Sequence, residues 1–254
     1  YMNTLPVALQ MYSVRDAATK DYPATLRALK EMGYDAIETC GHFGLTPEEH
    51  IKLLDEIGIK AVSAHVGYEE MLEDPDRAME TYRAFGLKYI VIPHITGDLV
   101  PGGARFGEFM ANTAKLGNVA KQHGLTLLYH NHDFEFVTMP DGSFGLDYLY
   151  ANLPDDLLQV ELDTCWIHHA SQSPVAYLQK YANRVPAVHV KDYDVADPIH
   201  FCPLGRGCVN IAEILTASIQ AGSSLCIVEQ DFCYDQPELD AVAESREYLR
   251  KLGW

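Results

Sequence analysis

LTLLYHNHDFEF, residues 125–136, is the stretch on which the reading of this chain turns. It begins as a short apolar run, the pattern of a strand buried on both faces. It ends in His130, Asn131, His132, Asp133 and Glu135, groups that hold metals or move protons. The same design recurs on either side. Upstream lie VALQMYS (7–13), YDAIETC (34–40), AVSAHV (61–66) and KYIVIPHI (88–95), and downstream lie LQVELDTC (158–165), VPAVHVKDY (185–193) and LCIVEQD (225–231). With residues 125–132 that makes eight runs rich in Val, Ile, Tyr and Thr.

Between the runs lie helical patterns. PATLRALKEMG (23–33) opens on Pro and closes on Gly, the usual asymmetry of helix ends. TPEEHIKLLDEIG (46–58) has Thr46 as N-cap, Pro47 at the first helical position and Glu49 completing a capping box, with Gly58 as the stop. Residues 107–124, PVAYLQKYANR (174–184) and PELDAVAESREYLRKLG (237–253) read similarly, the last with acids in its first turn and Arg250 and Lys251 in its last. Strand alternating with helix eight times, without a linker-like or low-complexity stretch, predicts a closed (β/α)8 TIM barrel over residues 1–254, a single α/β domain. An open doubly wound sheet tends to have fewer strands and a glycine-rich first turn, and QMYSVRDAA lacks such glycines.

Composition narrows the partners. Near half of the 254 residues are apolar, enough for one large core. The net charge of −17 argues against a nucleic-acid backbone or an anionic membrane surface, because both require a basic footprint. The six cysteines, Cys40, Cys165, Cys202, Cys208, Cys226 and Cys233, form no C-x-x-C pair and read as reduced, buried thiols. No apolar segment is long enough to span a bilayer, and YMNTLPVALQMYS lacks a basic stretch followed by an apolar one. A soluble, cytoplasmic protein is expected.

In such a barrel the chemistry sits where the strands end. Polar residues collect there: Gln10, Tyr12 and Arg15 around the first run, Glu38 and His42 around the second, His65 on the third and His94 on the fourth. His130, Asn131 and His132 end the fifth, Asp163 the sixth, His189, Lys191 and Asp192 the seventh, Glu229 and Asp231 the eighth. One buried His or Glu is ordinarily a satisfied core group or a helix cap. Asp163, His189 and Glu229, however, come late in three successive apolar runs, and burying two carboxylates with an imidazole is costly unless a cation or hydrogen bonds compensate. A divalent metal with oxygen and nitrogen ligands is the economical solution, leaving positions for substrate oxygens.

LQMYSVRD, YHNHDFEF, ELDTCW, HVKD and IVEQD together make the chain resemble, over essentially its whole length, the sugar phosphate isomerase/epimerase family. These are the xylose isomerase-like TIM barrels that also include endonuclease IV. The resemblance implies a divalent ion, manganese first with magnesium, cobalt or zinc as alternatives, held by side chains from strands 5 to 8. Asp163 of ELDTCW, His189 of AVHVKD and Glu229 of IVEQD match three of these ligands. The strand 5 ligand of the family is usually a glutamate in an E-N-H pattern, and here the triplet reads His130-Asn131-His132, which makes His130 the implied fourth ligand. Epimerases of the family use two glutamates as bases on opposite faces of the substrate, and this chain keeps only Glu229 of the two. Glu135 is a candidate for a second carboxylate from the loop.

The family chemistry begins when a metal-chelated carbonyl acidifies a neighbouring C–H and a base removes the proton. Glu229, His132 and His65 are the expected catalytic groups, with His132 on the same strand face as His130. Tyr12, Glu38, His94, Trp166, Lys191 and Arg206 are the expected substrate contacts, with Phe134 beside Trp166 as an apolar wall. HFCPLGRGCVN (200–210) resembles the family's G-x-G element after strand 7, where Arg206 suits a phosphate or a sugar hydroxyl. Isomerisation, epimerisation and elimination share one enediolate intermediate. The expected activity is that of a metal-dependent sugar isomerase or epimerase or a related carbohydrate lyase, and a histidine-rich strand 5, also a feature of the inosose dehydratase branch, gives the dehydratase or lyase alternative some weight. The expected substrate is a small carbohydrate, an unphosphorylated keto-sugar, inosose or 3-keto-glycoside before a sugar phosphate. Phosphodiester hydrolysis requires basic DNA-contacting loops that this acidic chain lacks. The non-catalytic alternative is a metal-binding barrel completed by a partner, and a homo-oligomer is compatible with the family's habit of pairing.

Overall fold

The computed structural model describes residues 4–254. Each of the eight apolar runs contributes one barrel strand: β1 (Val7–Gln10), β2 (Ala36–Cys40), β3 (Lys60–His65), β4 (Tyr89–Ile92), β5 (Thr126–His130), β6 (Gln159–Asp163), β7 (Ala187–Val190) and, last, β10 (Leu225–Val228). Neighbours pair in parallel, and β1 pairs with β10 to close the ring. Between β7 and β10 the chain also makes an antiparallel hairpin, β8 (Asp192–Ala196) and β9 (Ile199–Cys202), which lies outside the barrel sheet. The apolar pattern alone merges the start of β8 into the end of the seventh run.

The two-residue period of a strand explains how the interior is layered. Ala8, Ala36, Leu128, Ala187 and Ile227 belong to an apolar cluster with Tyr89 and Leu225. Two residues on, along the same faces, come Gln10, Glu38, His130, His189 and Glu229, all buried. The intervening residues Leu9, Ile37, Tyr129, Val188 and Val228 point outward and pack in the larger core shared with the helices. The barrel therefore changes from apolar to polar along its axis, and the polar end coincides with the strand C-termini.

The helices between strands follow their caps. Helix Tyr22–Met32 starts on the Asp21 side chain and stops at Gly33, whose φ of 88° is left-handed. Helix Pro47–Ile57 has the reciprocal capping box of Thr46 and Glu49 and ends at Gly58. Helix Pro174–Lys180 is shorter than the sequence pattern predicts. The chain turns instead so that Arg184 donates to the carbonyls of Tyr150, Leu153 and Leu158, which ties the neighbouring segment to the barrel. Among the described residues no helix is long and apolar enough to cross a membrane.

Candidate active site

A cavity of about 470 Å³ opens at the C-terminal ends of the strands. Tyr12, His65, His94, His130, His132, Trp166, Lys191 and Glu229 line it, together with Cys40, Pro93, Asp231 and Phe232. A slightly larger groove of about 520 Å³ lies at the other end among Pro6, Ile59, Tyr89 and Leu225, and it contains neither a histidine nor a glutamate. The chemistry-bearing side chains favour the first.

Local bonds aim the groups at its floor. Asn131 bridges β5 to β6, accepting from the Asp163 backbone N–H at 2.9 Å and donating to the Asp163 carbonyl at 3.2 Å. Asp163 Oδ1 caps the short helix Thr164–His169 by accepting from Trp166 N–H at 2.9 Å. Thr164 Oγ1 donates to the His189 carbonyl at 2.7 Å and so ties β6 to β7. These bonds set the two strand ends side by side, with Asp163 opposite His189.

His130, Asp163, His189 and Glu229 each offer a ligand atom within 4.8 Å of the others, and all four are buried. Asp163 Oδ2 is a buried oxygen with no hydrogen bond, and its near neighbours are ionic, Lys191 Nζ at 3.0 Å and His130 Nε2 at 3.5 Å. His189 Nδ1 lies 2.9 Å from Glu229 Oε2. The floor gathers five carboxylates, Glu38, Glu161, Asp163, Glu229 and Asp231, whereas among the described residues Lys191 is the one lysine in contact with them. An excess of buried anionic oxygens, two imidazoles and a carboxylate oxygen with ionic neighbours but no hydrogen bond make a donor set that fits a divalent cation.

Charge states follow from burial and neighbours. Burial works against a charged His189, but Glu161, Glu38 and Glu229 outweigh it and raise its pKa well above the ordinary value. Burial likewise opposes a charged Lys191, yet Asp163, Asp231 and Glu229 hold it protonated. Burial raises the Glu229 pKa, but Lys191 and His189 win and keep it well below the ordinary range. His132 goes the other way, pushed down to about 3 by burial and then by the Lys191 charge. His65 resists its burial because Glu38 and Glu161 carry its pKa up to about 10.

The expected substrate contacts fall into three groups. Tyr12, His94, Trp166 and Lys191 line the cavity. Phe134 does not; it stacks behind His132 with ring centroids 5.5 Å apart. Glu38 lies beneath the cavity floor, fully buried and bonded to Gln10, Ser63 and His189. Arg206 is outside the cavity lining and pairs with Glu244 at the surface, its Nη2 2.6 Å from Glu244 Oε2. The glycine loop is also committed elsewhere: the N–H groups of Gly205, Gly207 and Val209 all donate to the Asp192 carboxylate at 3.0–3.1 Å. A carboxylate of the chain itself thus fills the amide nest that the sequence pattern offers to a phosphate.

Glu135 is likewise spent on structure. It accepts from Tyr129 Oη at 2.7 Å and from the His132 N–H at 2.8 Å, and burial raises its pKa to about 8. Of the expected catalytic groups, His132 and Glu229 face the cavity with His65, whose Nε2 is held between Glu38 and Glu161. Glu161 joins the floor without having been expected there. Its signal lies in QVELD (159–163), where strand alternation puts Gln159, Glu161 and Asp163 on one face.

The comparisons with known proteins agree with this architecture. Residues 26–252 match the model of the family described as xylose isomerase-like TIM barrel. An inosose dehydratase of Clostridium beijerinckii is 28% identical over 156 residues, 54% of this chain and 51% of that protein, so the match spans about half of the relative's length. An inosose dehydratase of Geobacillus kaustophilus is 23% identical over 89% of this chain and 86% of its own. Among solved structures, a sugar phosphate isomerase/epimerase from Parabacteroides distasonis superposes with a TM-score of 0.85 at 22% identity, covering 97% of this chain and 98% of that one. Closed parallel barrel, polar rim and family match lead to one statement: the chain belongs to the xylose isomerase-like TIM barrel family.

Proposed function

We propose that this protein is a divalent-metal-dependent carbohydrate lyase that removes water from an unphosphorylated inosose or related keto-sugar. The observation that carries the metal is the convergence of His130, Asp163, His189 and Glu229, all buried, with ligand atoms within 4.8 Å of one another. A divalent ion held by these four residues would supply Lewis acidity to a substrate ketone and so acidify the C–H beside it. Glu229 stays ionised and borders the cavity, so it is the base that takes that proton. Lys191 Nζ stands 3.0 Å from Glu229 Oε2 and is held charged by three carboxylates, so it steadies the departing β-hydroxyl as a hydrogen-bond donor while Glu229 returns the proton to it. The C–H and C–O bonds break, a carbon–carbon double bond forms and water leaves. His132, held neutral, and Trp166 line the cavity as uncharged rings against which a sugar can pack.

Two further points favour elimination from an uncharged substrate. His130 stands where the family's second glutamate base belongs, and Glu135 is locked behind the site, so neither position supplies a second glutamate base. Among the described residues Lys191 is the one lysine or arginine lining the cavity, and it is already matched by three carboxylates, which leaves little positive charge for a phosphate. Relatives named inosose dehydratase point the same way. The test is to incubate metal-loaded protein with an inosose in deuterated buffer and follow mass and NMR. Loss of one water, with Asp163→Asn and Glu229→Gln inactive, is the expected result. A product of unchanged formula would make the protein an isomerase, and no exchange on any keto-sugar would end the enzymatic reading.

A further inference from the structure

Three side chains have no part in the proposed chemistry, namely the buried Glu38 on β2 and Glu161 on β6 and the cavity-lining His65 on β3. His65 Nε2 lies 2.9 Å from Glu38 Oε1 and 2.6 Å from Glu161 Oε1, so one ring nitrogen joins the two carboxylates. Both carboxylates then reach the metal-ligand candidates, Glu161 touching both rings and Glu38 touching His189. Glu161 Oε1 is 3.0 Å from His130 Nδ1, and Glu38 Oε1 is 2.8 Å from His189 Nε2. Glu38 is itself fixed by Gln10 Nε2 at 2.8 Å and Ser63 Oγ at 2.6 Å. On the opposite edges of the same rings, His130 Nε2 looks toward Asp163 and His189 Nδ1 toward Glu229.

A neutral imidazole has one N–H and one lone pair. If the N–H is donated downward to a carboxylate, the lone pair is left facing the centre. We propose that Glu38, His65 and Glu161 form a positioning clamp that fixes the tautomer and ring orientation of both His130 and His189, an inference that rests on the metal-centre reading above. The competing idea is a second cation among His65, His130, Glu161 and His189, which also group closely. Two features disfavour it. The nitrogens of His65, His130 and His189 lie 2.6, 3.0 and 2.9 Å from the single atom Glu161 Oε1, so the middle of the group is an oxygen. A second ion would also use both nitrogens of His130 and His189, which requires each ring to lose its last N–H proton. The clamp needs neither.

Carboxylates that orient metal-bound histidines typically affect metal affinity by about 10–100-fold. Titration of the full chain with Mn²⁺ against a chromophoric chelator should therefore show Glu161→Gln binding about 10–100-fold more weakly with unchanged stoichiometry. Asp163→Asn should lose the stoichiometric site. Should Asp163→Asn keep the ion at full affinity, the metal centre itself is misassigned. Should it lose the ion while Glu161→Gln stays within about twofold of the parent, the clamp is wrong and the centre stands. A purely structural role for Glu161 is separated by long-range ¹H–¹⁵N NMR of the parent protein loaded with Zn²⁺. The expected spectrum has His130 carrying its proton on Nδ1 and His189 on Nε2. The reverse tautomer on either ring overturns the proposal even if the variant fails to fold.

Discussion

At the scale of single residues, Lys191 has the most exacting surroundings. Its side chain is 1% exposed, and its Nζ lies 3.0 Å from Asp163, 3.0 Å from Glu229 and 2.9 Å from Asp231. Removing one partner of a buried ion pair typically costs about 3–5 kcal/mol, because the remaining charges stay buried without compensation. Lys191→Met should therefore lower the melting temperature of metal-free protein markedly. It should also recover more on adding Mn²⁺ than the parent does, since the ion would take over the neutralisation of Asp163 and Glu229. Thermal unfolding of both proteins with and without the ion measures this, and an equal gain in the two would refute it. Asp163, His189 and Glu229 are legible in the sequence because acids and imidazoles inside apolar runs are rare and need compensation. Glu161 is hidden beside Asp163, since the last polar residue of that run stands out and the two-residue period behind it does not.

Among elements, the segment after β7 departs most from its sequence pattern. Strands and most helices are legible because caps and apolar runs are local signals. The hairpin β8–β9 and the use of the glycine loop are not, because they depend on a tertiary choice: Asp192 turns into the loop and takes its amides. A methyl group at Gly207 would lie 2.2 Å from Asp192 Oδ1 and 2.3 Å from the Tyr193 carbonyl. Gly207→Ala should thus destabilise by about 1–3 kcal/mol through overpacking, as measured by denaturant unfolding. Arg206→Ala removes a surface pair with Glu244, and such pairs are worth about 0–1 kcal/mol. Its KM for the keto-sugar should match the parent's, and inorganic phosphate should not compete with substrate. A large rise in KM for Arg206→Ala would return that arginine to the site.

For the molecule as a whole, the question is what offsets five clustered carboxylates in a chain whose net charge is already −17. Lys191 and the imidazoles do so in part, and a bound cation would complete the balance and add its binding energy to folding. An ion at about one hundred times its Kd stabilises the folded state by about 2.7 kcal/mol. For a chain of this length, with about 2–4 °C per kcal/mol, chelation should lower the melting temperature by roughly 5–11 °C. The same treatment should leave Asp163→Asn nearly unmoved. The sign of the pH dependence follows from His189. Glu161, Glu38 and Glu229 outweigh burial and hold it protonated without the ion, so binding must displace that proton and is favoured as pH rises. The metal-induced shift should accordingly be larger at pH 8 than at pH 6. Scanning calorimetry at both pH values, with and without chelator, checks the size and the sign together. A shift that grows as pH falls would mean that the ion binds without His189, and the centre would have to be rebuilt from the oxygens alone.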